Sequence, residues 1–345
     1  MRGADVWAAR PQAEVNADLE QRLQEIAQKK AERPVATDVK DEAARARRLH
    51  AEAGKVARQM LDDVRFGQGL AVERVTPVVD AMVDSVFRHP DALLPLARLK
   101  EADDYTYEHS VGVAALLIAF GKAMKLPREI IRDLALGGLL HDIGKANIPD
   151  AILNKPAKLS DEEFARVQGH VAESVRLVKT MPGVSDTVLK VVAEHHERID
   201  GSGYPNRLAG DAISLYGQMA AIVDVYDAIT ANKVYGRGMA PTQALKKLLE
   251  WSKHHFDPQL VQTFIRALGI YPTGTLVKLE SNRMGVVVEQ NEGNLLEPVV
   301  RVFYHAGKKH YIPPELVDLS KVQDRIAGCE SYDKWNIDPY RWLPA

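Results

Sequence analysis

The sequence lacks the features of a thiol-based site and of a strongly charged binding surface. It has one cysteine, Cys329, so it can form neither an intramolecular disulfide nor a cysteine-rich metal site. Its 45 Lys and Arg nearly balance 47 Asp and Glu, and a net charge of -2 argues against a broad nucleic-acid footprint. The longest apolar stretch, residues 111–120, is too short to cross a bilayer, and no signal-peptide pattern is visible. These absences predict a cytoplasmic protein that binds neither membranes nor polymeric nucleic acid.

Helical periodicity dominates the first 270 residues. Sparse apolar residues at helical spacing predict a polar helical arm over residues 14–33 and 41–61. No convincing strand pattern occurs between residues 71 and 269. Ser160 and Glu163 have the spacing of a capping box, which predicts a helix start there. Further helices are expected at residues 71–87, 93–99, 105–124, 128–141, 161–180, 185–197, 213–232, 242–252 and 258–268.

The pattern changes after Pro272, where short β-rich segments alternate with Gly and Asn turns. Four strands are expected, at residues 275–279, 284–290, 297–304 and 309–312, and they predict a small antiparallel module. An irregular tail is expected from residue 313 to 345. The predicted fold class is mainly α, with a helical segment over 1–95, an all-α domain over 96–270 and a β-rich module with its tail over 271–345.

Histidine is the informative residue type, because five of the eleven histidines fall between positions 109 and 196. A lone histidine on an apolar helix face is more often a satisfied core residue than a ligand. Asp142 and Asp224, however, also stand among apolar neighbours, where an unpaired buried carboxylate is costly. A shared metal site accounts for the whole set at once, and its candidate ligands are His109, His141, Asp142, His170, His195, His196 and Asp224.

The chemistry of this ligand set predicts two metal ions. Imidazole and carboxylate groups suit Fe, Mn, Ni, Co or Zn, whereas all-oxygen sites suit Mg or Ca. One ion cannot use seven ligands and still leave room for water and substrate, so a bridging carboxylate is needed, and Asp142 is the natural bridge. Two ions about 3.5–4 Å apart can hold a hydroxide between them and neutralise charge on a phosphoryl oxygen. The predicted reaction is therefore hydrolysis at phosphorus, with a metal-bound water as the nucleophile.

Three nearby features are candidates for substrate contact or site support. Lys145 lies one helical turn after His141 and is interpreted as a cation for the scissile phosphate, the alternative being a surface lysine. The loop at residues 200–205 contains two glycines that permit close backbone approach, and Tyr204 could stack on a base or bind a phosphate. Its alternative is an ordinary surface turn. Glu197 is expected to orient a ligand histidine from behind.

Three separated motifs resemble the signature of the HD-GYP subfamily of HD-domain phosphohydrolases. They are His-Asp-Ile-Gly-Lys at 141–145, His-His-Glu-Arg at 195–198 and Asp-Gly-Ser-Gly-Tyr-Pro at 200–205. The resemblance covers about residues 95–270, and residues 272–320 are similar to a β-rich extension that follows this domain in some members. It implies an all-α catalytic domain that hydrolyses the bacterial second messenger cyclic di-GMP to linear pGpG, with further cleavage to GMP left open.

The resemblance also implies roles for individual residues. By matching position it implies the same metal ligands, and it implies substrate contact or site support by Lys145, Gly203, Tyr204, Asp227 and Asp103. Trinuclear members carry Glu one turn before the first histidine, where this chain has Tyr105, so two ions are expected, Fe or Mn ahead of Ni, Co or Zn. Of the basic residues that the family often places after Asp227, Lys233 keeps one charge, whereas Gly236 supplies none.

Two other functions stay open at this point. One is a sensor or interaction module that binds a cyclic dinucleotide with little turnover. The other is an HD-type phosphohydrolase for another nucleotide, such as a linear phosphodiester or a mixed cyclic dinucleotide. A homodimer, and protein partners bound through the N-terminal helical arm, are also left open.

Overall fold

The computed structural model describes residues 38–96, 105–155, 157–231, 238–291 and 293–343, and the predicted helix at 14–33 lies outside them. The helices are α1 (Val39–Arg65), α2 (Val72–Arg88), α3 (Pro90–Leu93), α4 (Tyr105–Ala123), α5 (Arg128–Leu140), α6 (Asp150–Leu153), α7 (Asp161–Gln168), α8 (His170–Lys179), α9 (Asp186–Glu194), α10 (Leu215–Thr230), α11 (Pro241–Trp251), α12 (Pro258–Leu268) and α13 (Tyr332–Trp335). Short 3-10 helices span Ile143–Asn147, Gly210–Ala212 and Pro339–Trp342. None of the described helices is long and apolar enough to cross a membrane.

Helix α4 is the centre of the helical core. Residues 111–120 are buried all round, because this apolar stretch is covered by α1, α5, α10 and α12. Helix α5 comes especially close at Gly138, where a Cβ atom would lie 2.9 Å from the backbone of Ala114. Glycine is needed at this crossing, and the close approach brings the C-terminal end of α5 next to the middle of α4.

The C-terminal module is an antiparallel sheet of five strands in the order β4-β3-β2-β1-β5. The strands are β1 (Leu276–Leu279), β2 (Arg283–Glu289), β3 (Val299–His305), β4 (His310–Asp318) and β5 (Ile326–Cys329). Alternating side chains give the sheet two apolar faces, and the C-terminal segment covers one of them. Trp342 of that segment stacks on Phe303, with ring centroids 3.9 Å apart.

The mainly helical architecture and the antiparallel module are confirmed, but four predicted elements differ. In place of the helix expected at 93–99, the structure has α3, which ends at Leu93, and residues 97–99 lie outside the described residues. The helix predicted over 161–180 is divided at Gly169 into α7 and α8. Strand β4 runs through Pro313 and Pro314 to Asp318, although these prolines suggested a strand end. Prolines are tolerated there because β4 is an edge strand with one row of backbone groups unpaired. The opposite edge strand, β5, lies in the tail that was expected to be irregular.

A buried carboxylate connects the sheet to the helices. Asp91 of α3 accepts a hydrogen bond of 2.5 Å from Thr273 Oγ1 and one of 2.9 Å from the backbone N–H of Gln290. The described residues lie within one compact unit that spans residues 37–345. The boundaries predicted at residues 95 and 270 stay predictions.

Candidate metal centre

The structure brings all seven predicted ligands together from five segments of the chain. They are His109 on α4, His141 and Asp142 after α5, His170 at the start of α8, His195 and His196 after α9, and Asp224 on α10. Six of them form two overlapping groups whose ligand atoms lie within 4.8 Å of one another. Asp142, His170, His195 and His196 form one group, and His109, His141 and Asp142 form the other. Asp142 therefore belongs to both groups.

The two oxygens of Asp142 face different histidines. Oδ1 lies 3.0 Å from His170 Nε2 and 3.9 Å from His195 Nε2. Oδ2 lies 3.3 Å from His141 Nε2 and 3.7 Å from His109 Nε2. This is the arrangement that a carboxylate between two ion positions requires.

Asp224 approaches the cluster from α10. Its Oδ1 lies 3.0 Å from His109 Nε2 and 3.7 Å from His141 Nε2. Its Oδ2 lies 3.4 Å from His196 Nδ1. The two carboxylates, Asp142 and Asp224, thus enclose the imidazoles from different elements.

Backbone hydrogen bonds set the tautomers of three histidines. In each, Nδ1 donates to the carbonyl three residues earlier, which leaves Nε2 as the lone-pair nitrogen of the neutral ring. These bonds join His141 to Gly138 O at 2.7 Å, His170 to Val167 O at 2.6 Å and His195 to Val192 O at 2.9 Å. The three Nε2 atoms are therefore oriented toward Asp142 by local geometry at helix ends.

Asp227 orients the fourth histidine. It lies one turn after Asp224 on α10, and its Oδ2 accepts from His109 Nδ1 at 2.5 Å. The Asp227 side chain is only 1% exposed, which is too buried for contact with a substrate. The geometry is that of a carboxylate that fixes a metal-binding histidine from behind.

Replacing Asp227 with alanine is expected to weaken metal binding or turnover by about 10- to 100-fold, because the His109 ring loses its orienting acceptor. Asp227→Asn keeps an oxygen acceptor for the same Nδ1–H, and we expect it to retain most of the affinity. Metal titration of both variants measures the difference. Equal losses in the two variants would contradict an orienting role.

The buried polar atoms of the site fit divalent transition metals. His141 Nε2 and Asp142 Oδ1 are buried and have no hydrogen-bond partner among the described residues. Burial lowers the pKa of His141, but the charges of Asp142 and Asp224 outweigh it and raise that pKa to about 10. Burial lowers the pKa of His196 to about 3, and that of His195 also falls. His195 and His196 are therefore neutral, whereas the carboxylates hold a proton on His141 in the metal-free site. A divalent cation would take the place of that proton and offset the charge of the two carboxylates.

Lys145 lies at the same cluster, on the 3-10 helix at Ile143–Asn147. Its Nζ is 2.5 Å from Asp142 Oδ2, and its side chain is 20% exposed. The neighbouring Gly144 packs against α8, since a Cβ atom there would meet the backbone N of Ser174 at 2.7 Å. Gly144 N–H also donates to Ser174 Oγ at 2.9 Å. This contact fixes the segment that carries Asp142 against the helix that begins at His170.

The loop at residues 200–208 closes one side of the cluster. A Cβ atom on Gly203 would lie 2.5 Å from Glu197 Cα, so only glycine allows this approach. The Tyr204 ring packs on the His196 ring, with centroids 4.5 Å apart. Asp103, Lys233 and Gly236, which the sequence also singled out, lie outside the described residues.

Glu197 has a different contact from the predicted one. Its buried carboxylate accepts from the backbone N–H of Asn206 at 2.8 Å and from that of Leu208 at 3.0 Å. Both oxygens are thus used by the loop, and the predicted role of orienting a ligand histidine is corrected to that of holding the loop in place.

Glu194 is a supporting residue that sequence reasoning missed. It accepts from Ser214 N at 2.8 Å and from Ser214 Oγ at 2.6 Å. It thereby ties the end of α9, just before His195, to the start of α10, which carries Asp224. The available signal was a glutamate directly before the histidine pair, in a helix whose preceding residues are mostly apolar.

Comparisons with known proteins identify the family of this chain. The HD domain family model matches residues 81–260. A cyclic di-GMP phosphodiesterase of Pseudomonas aeruginosa is 46% identical over 306 residues, which are 88% of this chain and 74% of that protein. A 3'3'-cGAMP-specific phosphodiesterase of Vibrio cholerae is 32% identical over 218 residues. These residues are 62% of this chain and 41% of that protein.

A solved structure shows the same fold. The HDG"Y"P protein Bd1817 from Bdellovibrio bacteriovorus matches with a TM-score of 0.53 and 21% identity, over 74% of this chain and 80% of that one. The family model covers more than half of the sequence, and its region contains every ligand of the cluster. The chain therefore belongs to the HD domain family, and within it to the HD-GYP proteins.

Proposed function

We propose that the protein is a metal-dependent phosphodiesterase that hydrolyses cyclic di-GMP to linear pGpG. The observation that carries this proposal is the convergence of five histidines and Asp142 in two groups that share this carboxylate. The 46% identity to a cyclic di-GMP phosphodiesterase supports the choice of substrate.

The residues divide naturally between two ion positions. Asp142 Oδ1 with His170, His195 and His196 would hold one ion, and Asp142 Oδ2 with His109 and His141 would hold the other. Asp224 lies near enough to contribute to either. We propose Fe or Mn at both positions. When bound, such ions lower the pKa of water and offset the charge on a phosphoryl oxygen.

The protein's own groups orient the histidine rings and place a positive charge at the site. The Nδ1 hydrogen bonds hold the imidazoles in place before any ligand arrives, so little reorganisation is needed during reaction. Lys145 places an ammonium group beside Asp142, where it can offset charge that develops on the scissile phosphate. Hydrolysis forms a bond from a water oxygen to phosphorus and breaks the bond from phosphorus to a ribose 3′ oxygen. The 3′ oxygen takes up a proton released by that water, and the linear product keeps a 5′ phosphate.

The proposal is tested with full-length protein loaded anaerobically with Fe(II) or Mn(II). We expect chromatography to show pGpG formed from cyclic di-GMP, and metal analysis to show two ions per chain. Chelation should abolish turnover, and re-addition of metal should restore it. A folded, metal-loaded protein that releases no linear product from any cyclic dinucleotide would contradict the proposal.

The same assay separates the alternatives. Similarity to a 3'3'-cGAMP-specific enzyme favours including that dinucleotide as a second candidate substrate. Faster cleavage of 3'3'-cGAMP than of cyclic di-GMP would change the assigned substrate, and binding without turnover would favour a sensor. A cytoplasmic location, a homodimer and partners of the N-terminal arm stay predictions.

A further inference from the structure

A cavity of about 430 Å³ lies beside the metal centre. Gln168, Gly169 and Ala172 line one side of it, and the loop residues 201–205 and Arg207 line the other. Gly169 directly precedes His170, and the Tyr204 ring packs on His196. The cavity therefore adjoins two segments that carry candidate metal ligands. Its volume is within the range of about 300–1,000 Å³ that is usual for small-molecule sites.

One aromatic ring lines this cavity, and a second ring contacts the first. Tyr204 lines it, and the Phe164 ring of α7 contacts Tyr204 edge-on, with centroids 6.5 Å apart. Phe164 is 49% exposed, so its ring is accessible to a ligand. A ring that lines a cavity, with an exposed ring beside it, offers faces on which a nucleobase can stack.

Arg207 supplies the cavity with a positive charge. Within the described part of the chain, it forms no ion pair or side-chain hydrogen bond. Its backbone is left-handed, with φ of 53°, which is unfavourable for a residue with a side chain. Glu197 holds the residue on each side of it, through Asn206 N and Leu208 N. A buried carboxylate thus maintains an unfavourable backbone conformation that presents a guanidinium at the cavity.

We propose that this cavity holds the purine nucleotide unit of the substrate that is not being cleaved. Its base would stack on Phe164 and Tyr204, and its phosphate would face Arg207. The inference rests on the proposed function, because a cyclic dinucleotide has two phosphates and the metal centre with Lys145 accounts for one. A planar guanidinium suits the second phosphate, since it can bind two oxygens at once.

The test compares Phe164→Ala and Arg207→Gln with matched controls in full-length, metal-loaded protein. Phe66→Ala removes an aromatic ring that is 77% exposed outside the cavity, and Arg266→Gln removes an exposed arginine on α12. Two substrates are used, cyclic di-GMP and bis(p-nitrophenyl) phosphate, which has no second nucleotide. Equilibrium binding of cyclic di-GMP is measured in parallel.

We expect each cavity variant to weaken cyclic di-GMP binding by about tenfold or more, as loss of one base-stacking ring does. The ratio of kcat/KM for cyclic di-GMP to that for the small phosphodiester should fall by a similar factor. Arg207→Gln should also reduce the salt dependence of binding. The two control variants should match the wild type. Equal losses on both substrates, or unchanged dinucleotide binding in both cavity variants, would overturn the assignment.

A different set of results is expected if the proposed function is wrong. In that case the wild type cleaves no cyclic dinucleotide, and the binding measurement alone decides the role of the cavity. Binding that is weakened by Phe164→Ala and Arg207→Gln but not by the controls would still support a nucleotide site. Absence of binding to the wild type would overturn it.

Discussion

Replacing Asp142 with alanine is expected to lower kcat/KM for cyclic di-GMP by at least about 1,000-fold. Loss of one preorganised electrostatic group typically costs 10²–10³ in rate, and Asp142 is shared by both groups of histidines. Its two oxygens face His170 on one side and His141 on the other, at 3.0 and 3.3 Å. The variant should therefore also bind fewer than two ions per chain, which metal analysis measures directly.

Two controls show whether the loss of activity comes from the Asp142 carboxylate itself. Asp41→Ala removes an exposed carboxylate from the first turn of α1 and should leave both activity and metal content unchanged. Circular dichroism of the Asp142 variant should show the helical content of the wild type, because the helical core is formed by apolar contacts elsewhere. A variant that retained two ions and near-normal turnover would contradict a shared carboxylate.

The ligand set could be predicted from sequence because each ligand interrupts an apolar pattern. Asp224 stands between Val223 and Val225, and His141 follows two leucines, so a polar group there needs a partner. The capping box was equally visible. Ser160 Oγ accepts from Glu163 N at 3.2 Å, and Glu163 accepts from Ser160 N at 2.7 Å. These signals are local, or they repeat with the helical period.

The supporting contacts could not be predicted, because they join residues far apart in sequence. His109 and Asp227 are 118 positions apart, and the sequence shows only that α10 carries two aspartates one turn apart. Glu197 was placed correctly beside the site, but its partners are backbone N–H groups, which sequence does not reveal. The strand through Pro313 was missed for a similar reason, since its position at the sheet edge is set by pairing order.

A buried ion pair behind the metal centre is expected to make a large contribution to the stability of the fold. Glu42 of α1 is fully buried, and Arg88 of α2 binds both of its oxygens, at 2.7 and 2.8 Å. Helix α1 packs against α4, which carries His109, and against the 3-10 helix that carries Lys145. The pair therefore fixes a helix that supports two parts of the metal centre. Sequence did not indicate it, since the partners are 46 residues apart on different helices.

Arg88→Ala is expected to lower the free energy of unfolding by about 3 kcal/mol at pH 7, measured by urea denaturation. Removing one partner of a buried ion pair typically costs about 3–5 kcal/mol, because the remaining charge stays buried. The lower end is expected because Arg45, with its Nη1 3.7 Å from Glu42, can compensate in part. Arg48→Ala, which removes an exposed arginine from α1, should change stability by less than about 0.5 kcal/mol.

The free energy of unfolding of Arg88→Ala and of the wild type should be compared at several pH values. The pH dependence of their difference shows whether the lost ion pair or lost packing causes it. In the wild type, burial raises the pKa of Glu42, but Arg88, with further lowering by Ser85 and Arg45, outweighs it and holds the pKa below the ordinary value. This contribution to stability is present above the unfolded pKa and is lost as pH falls through the folded pKa. Without Arg88, burial should raise the pKa above the unfolded value, so the variant is stabilised as pH falls and Glu42 becomes neutral. The stability difference should thus shrink from pH 7 toward pH 4, whereas a difference that is constant with pH would indicate lost packing alone.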